Sequence, residues 1–152
     1  MIRPKTTIEL RMTGTAVHHA RTDLVVRDLT AIIDEPVARG GTNAGITPTE
    51  TLLSSLVGCT NVITQRIARR DGVQIADMTI GAVCKLDRRG AAMEEEIEVP
   101  FQTITLTIDI ATDATDAQMA VIKTDLGRFC PIAKVLRAAG TQIEETWNVR
   151  AL

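Results

Sequence analysis

The tightest constraint on how this chain can fold is a long helix that marks both of its own ends. Thr47 stands at the N-cap position, Pro48 at the first helical position and Glu50 three residues after the cap. That is a capping box, with a proline where its missing N–H does no harm. Leu52, Leu56, Cys59, Ile63 and Ile67 follow at spacings of three and four, a single apolar stripe that Leu53, Val57 and Thr60 widen. Arg66, Arg69 and Arg70 fill the last turns, where cations suit the negative end of the helix dipole, and Gly72 supplies the stop. A helix apolar over so wide a face is expected to be central and buried on most of its surface.

The elements around it are shorter. Residues 7–33 are rich in Thr, Val and Ile, as a hairpin or meander would be, with two strands turning near Arg27-Asp28 and ending at Asp34-Glu35-Pro36. Residues 37–46 hold Gly40-Gly41-Thr42-Asn43-Ala44-Gly45, too many turn formers for regular structure. Strands are expected at about 74–87 and 97–110, separated by the acidic Glu94-Glu95-Glu96. Thr103 to Ile108 alternates polar and apolar, as a half-exposed antiparallel strand should. Thr115 and Gln118 open a second helix expected to end at Gly127, Cys130-Pro131 opens a third ending at Gly140, and Gln142 to Val149 reads as a last strand. The order is strands, helix, strands, two helices, strand: an α+β class in one domain, residues 1–152, without repeats or linkers.

Composition narrows the function. The chain has 152 residues, 45% hydrophobic and 24% charged, so it can bury one real core. A net charge of −2, only 2% aromatic residues and no tyrosine leave neither a basic patch for phosphates nor a stacking platform for bases. Nucleic acid is not the expected partner. No run approaches the ~20 apolar residues of a membrane helix, and Met1-Ile2-Arg3-Pro4-Lys5 carries no targeting signal, so a cytoplasmic protein without membrane attachment is expected. Its three cysteines are then expected to be reduced at rest and open to transient redox chemistry.

Two of those cysteines have contexts that a spare thiol does not need. Cys130 precedes Pro131 at a helix start, facing unpaired N–H groups that favour the thiolate; equally, it can simply cap the helix and pack on Phe129. Cys59 lies mid-helix on the apolar stripe, where cysteine serves as a small hydrophobe unless a nearby cation ionises it. Cys84 sits within a strand with no special flanks. Glu50 already closes the capping box and, nine residues before Cys59, falls on the opposite side of an ideal helix. His18 and His19 are adjacent in an expected strand, hence on opposite faces and unable to share a metal. Arg11, Arg21, Arg27 and Arg39 are all candidate partners for a thiolate, and charge alone does not choose among them.

Taken together, Asp34-Glu35-Pro36, Gly40-Gly41-Thr42, Thr47 to Leu53, Gly58-Cys59-Thr60 and Cys130-Pro131 resemble the OsmC/Ohr family, the osmotically inducible and organic-hydroperoxide-resistance proteins. The resemblance in element order runs from about Ile8 to Val149. It implies antiparallel sheets wrapped around long central helices in an intertwined homodimer. It also implies a thiol peroxidase with no metal or organic cofactor, acting on organic or fatty-acid hydroperoxides and recycled by a small dithiol or lipoyl-type reductant. By that analogy Cys59 is oxidised to a sulfenic acid and Cys130 condenses with it to a disulfide, although the residues alone favour Cys130 as the activated thiol. The organic-hydroperoxide branch has its glutamate ten residues before the first cysteine, a place held here by Thr49, whereas Glu50 matches other branches. The branch's arginine lies in the N-terminal hairpin, where Arg21 is the nearest candidate. The alternatives are a non-catalytic OsmC-like module binding an apolar small molecule at the dimer interface and, more remotely, a metal-binding module built on the cysteines.

Overall fold

The computed structural model describes residues 6–152; the Met1–Lys5 start lies outside them. The chain forms two compact units, residues 1–52 and 53–152. The first holds β1 (Thr13–His18), β2 (Arg21–Val26), β3 (Leu29–Asp34), a 3₁₀ turn at Val37–Arg39 and the opening turn of α1 (Pro48–Arg70). The second holds the rest of α1, then β4 (Ile75–Leu86), β5 (Phe101–Thr112), α2 (Asp116–Phe129), α3 (Pro131–Ala138) and β6 (Gln142–Ala151). This is the expected α+β class.

In the first unit β1, β2 and β3 form an antiparallel meander. The β2–β3 turn falls on Arg27-Asp28, with Arg27 left-handed at φ 55°. What orders the following loop is Asp34, fully buried at the end of β3. Its carboxylate accepts from the N–H groups of Glu35 (2.9 Å), Thr42 (3.0 Å) and Ala44 (3.0 Å) and from the Thr42 hydroxyl (2.5 Å). The glycines there are needed for room: a Cβ on Gly41 would stand 1.7 Å from the Glu35 carbonyl oxygen, and one on Gly45 2.0 Å from that of Ile32.

The Thr42 hydroxyl above all, then the Ala44 N–H, hold the Asp34 carboxyl at about 2, below its ordinary 3.8. A depressed carboxylate stabilises the fold fully above its unfolded value, and that contribution is lost as pH falls from about 4 through 2. Asp34→Asn is expected to lower the melting temperature at pH 7 by roughly 5 °C. The gap to wild type should close at pH 2. Thermal scans at the two pH values check this, and an equal gap at both would refute it.

The second unit is built on β5, whose Ile104, Leu106, Ile108 and Ile110 alternate with polar residues and are each at most 1% exposed. Each fully buried side chain of this size contributes roughly 1.5–3 kcal/mol. Met119, Ile122 and Leu126 of α2 and Ala133 and Leu136 of α3 complete the core with α1. The sheet is not antiparallel throughout, as the resemblance implied. β4 and β5 form an antiparallel hairpin, but β6 runs parallel to β5, because α2 and α3 return the chain to the starting edge before β6 begins.

Three expectations need adjusting. The buried stripe of α1 is Leu56, Thr60, Thr64, Ile67 and Ala68, with Leu52, Cys59 and Ile63 half-buried beside it, so the helix is not covered on most of its surface. β5 starts at Phe101 rather than 97: Pro100, with no N–H of its own, only accepts from the Asp87 N–H across the hairpin. α2 runs through Gly127 to Phe129, and Pro131 stops it by pushing Cys130 out of the helical region (ψ 109°). Among the described residues no helix is long and apolar enough to cross a membrane.

Candidate functional site

The second unit brings Cys59 and Cys130 together from 71 positions apart, with their sulfurs at 3.0 Å. Cys59 is half-buried on α1, next to buried Thr60. Cys130 is fully buried at the junction of two helices and serves both. Its N–H donates to the Leu126 carbonyl (3.0 Å), closing α2, and its Sγ accepts the Ala133 N–H (3.4 Å), capping α3 ahead of Pro131. The junction therefore leaves Cys130 little freedom. A disulfide needs sulfurs about 2.05 Å apart, so closure asks for a further movement on the order of 1 Å.

Burial above all, and then the hydrogen bond to Cys59, push the Cys130 thiol up to about 11, against a smaller downward pull from the Ala133 N–H. This corrects the expectation that a helix start would make Cys130 the activated thiol: complete burial outweighs one N–H. The hydrogen bond between the two sulfurs runs from Cys130 to Cys59. Cys84, half-buried on β4 opposite Ile104, has its thiol raised by burial and no sulfur contact among the described residues.

Arg21 and Glu50 belong to the first unit, where each has a local structural role. Arg21 opens β2 and donates through Nε (2.7 Å) and Nη2 (3.0 Å) to Asp23. Glu50 accepts the Thr47 N–H (2.8 Å) while its own N–H donates to Thr47 Oγ1 (3.2 Å), as the capping box requires. That backbone bond chiefly lowers its carboxyl, with help from the charge of Arg39. Arg39 is paired with Glu35 (2.5 Å) and Arg11 with Glu9 (2.5 Å). The two histidines are not on opposite faces: His19 has left the strand for the turn, and the rings lie 5.4 Å apart.

One charged cluster escaped sequence reasoning. Asp125, buried on the inner side of α2, accepts Arg70 Nη2 of α1 (2.8 Å) at one oxygen and Arg128 Nη1 (3.0 Å) at the other. The visible signal was an aspartate three residues after Ile122 and next to Leu126, in the apolar stripe of its helix. Beside this cluster a hollow of about 340 Å³ is lined by Ile63, Arg66, Ile67 and Arg70 of α1 and by Phe129.

A family model for OsmC-like proteins matches residues 41–146. The chain belongs to the OsmC-like family. Solved OsmC-like structures share the fold at low identity. An OsmC-like protein of Mycoplasma pneumoniae is 14% identical, with a TM-score of 0.77 over 93% of this chain and 97% of that one. An organic hydroperoxide resistance protein OsmC of Legionella pneumophila is 12% identical, with a TM-score of 0.69 over 95% and 99%. An organic hydroperoxide resistance protein of Elizabethkingia anophelis, with thiocyanate bound, is 14% identical, with a TM-score of 0.69 over 97% and 100%. No curated protein matches the sequence. Both Cys59 and Cys130 lie within the matched residues.

Proposed function

We propose that this OsmC-like chain is a cysteine-based peroxidase that reduces organic hydroperoxides in the cytoplasm. The observation that carries the reading is the 3.0 Å approach of a fully buried Cys130, whose thiol burial raises, to the sulfur of half-exposed Cys59. The Cys59 thiolate attacks the terminal peroxide oxygen, the O–O bond breaks, and the alkoxide leaves as alcohol after taking a proton. Cys59 is now a sulfenic acid, oxidised by two electrons. The Cys130 sulfur attacks the Cys59 sulfur, the S–O bond breaks, and hydroxide departs with the Cys130 proton as water. An external small dithiol, of lipoyl type in the family expectation, returns both thiols.

In this reading the working form is a homodimer, Arg21 is the cation offered to the mid-helix thiolate, and a part for Glu50 in the chemistry lies across the dimer interface, since nine residues set it on the opposite side of the helix from Cys59 of its own chain. Sedimentation at micromolar concentration should give twice the 16.5 kDa chain mass; a stable monomer would count against the dimer. One equivalent of an organic hydroperoxide should yield a Cys59–Cys130 disulfide within one chain, with Cys84 left as a thiol, by mass spectrometry. Arg21→Ala should slow that reaction by a factor on the order of 10² with the fold intact, and Glu50→Ala should do less to turnover than to helix capping, where the loss is up to ~1 kcal/mol. If peroxide leaves Cys59 and Cys130 unmodified, the peroxidase reading fails and the module binding an apolar small molecule takes its place.

A further inference from the structure

We infer that Asp125 is a positioning residue that holds Cys130 against Cys59 by tying the helix that ends at Cys130 to the helix that carries Cys59. Asp125 lies five residues before Cys130, one turn ahead of the last residue of α2, Phe129. One of its carboxylate oxygens takes the Arg70 guanidinium of α1 at 2.8 Å, and the other takes Arg128 of its own helix at 3.0 Å. Arg128 in turn lies over the ring of Phe129, 5.2 Å from its centroid, so every residue of the junction but Gly127 has a named contact. Arg70 is itself fixed by Asp71 at 2.6 and 2.8 Å.

The hollow is the second observation. Between Cys59 and Arg70, the hollow is lined by Ile63, Arg66 and the edge of buried Ile67 on α1 and by Phe129. On this side of α1 the two sulfurs stand at one end of the hollow and the Arg70–Asp125 pair at the other. The pair joins a buried carboxylate to a charged donor with good geometry, the class of interaction whose one-sided removal is felt most.

The consequence concerns the second chemical step, and it rests on the peroxidase reading above. Once Cys59 is a sulfenic acid, two reactions compete for it. Cys130 can close the disulfide with loss of water, or a second hydroperoxide can transfer its oxygen, leaving as alcohol and converting Cys59 to the sulfinic acid. The first depends on where Cys130 is held and the second does not. Loosening the junction should therefore shift the outcome at Cys59 without changing its first oxidation.

The test is Asp125→Asn, which keeps the side-chain shape and removes the charge, with Arg70→Met and Arg70→Lys as companions. Disulfide closure in Asp125→Asn should slow roughly tenfold to a hundredfold, the cost of a small misplacement of a reacting group. The sulfinic share at Cys59 should rise in parallel under excess organic hydroperoxide. In a Cys130→Ser background, Asp125→Asn should leave the rate of Cys59 oxidation unchanged. Arg70→Met should reproduce the shift and Arg70→Lys should largely restore closure. A folded Asp125→Asn protein that partitions like wild type overturns the inference. If that variant does not fold, the half-exposed Arg70→Met decides in the same way. Wild type that forms no disulfide overturns the peroxidase reading and this inference with it, whereas wild type that does so beside unaltered variants overturns the inference alone.

Discussion

Cys59→Ser should abolish organic-hydroperoxide consumption, lowering turnover by a factor on the order of 10³ to 10⁶, the loss seen when the nucleophile of a covalent mechanism is removed. The physical reason is ionisation. A hydroxyl carries almost no oxyanion at neutral pH and is a weak nucleophile toward an O–O bond, whereas a thiol can supply thiolate. The fold should survive, because Cys59 is half-buried beside the stripe of Leu56, Thr60 and Thr64 rather than within it. The geometry also keeps Cys130 from taking over: it is fully buried, and burial together with the bond to Cys59 pushes its thiol up to about 11. Loss of the hydroperoxide, followed by a colorimetric assay on the purified protein, checks this, with Cys84→Ser as the variant expected to match wild type. A Cys59→Ser protein that still consumed peroxide at an undiminished rate would remove Cys59 from the chemistry.

Local signals in this chain could be read closely, and directional ones could not. The Thr47–Glu50 and Thr115–Gln118 capping boxes form as the residues predict, because the bonds they need lie within four residues. The turn at Arg27-Asp28 and the alternation from Thr103 to Ile108 are legible for the same reason. The parallel pairing of β6 is not, since a period of two states which face is buried but not which way the strand runs. Thr60, placed on the stripe by its spacing, is buried on α1, and so is Thr64, which a binary pattern reads as an outer residue. At the site, the meeting of Cys59 and Cys130 followed from a family resemblance and not from spacing. At Cys130 the helix start favours the thiolate, while burial, which the sequence does not display, acts more strongly against it. Asp125 is the converse case: a charge inside an apolar stripe was visible all along, but its partner Arg70 is supplied only by folding.

Cys130→Ser should separate the two halves of the chemistry. The substitution is conservative for structure. Serine is a favoured N-cap residue, so its hydroxyl can accept the Ala133 N–H in place of the sulfur, and Pro131 still opens α3. It can also donate to the Cys59 sulfur where the Cys130 thiol now does. The first step should therefore proceed, each chain consuming one equivalent of organic hydroperoxide and releasing one of alcohol. No sulfur then remains within reach to displace the oxygen from Cys59. Turnover should stall at the sulfenic acid, detectable as an adduct with a cyclic 1,3-diketone, and excess peroxide should carry Cys59 on to the sulfinic acid. Steady-state activity with a dithiol reductant should fall by a factor on the order of 10², while the amplitude of the first turnover stays at one equivalent. Rapid-mixing kinetics with mass spectrometry of the trapped protein measures both. Full multiple turnover in this variant would mean that the external thiol attacks the Cys59 sulfenic acid directly, leaving Cys130 as the cap of α3 and nothing more.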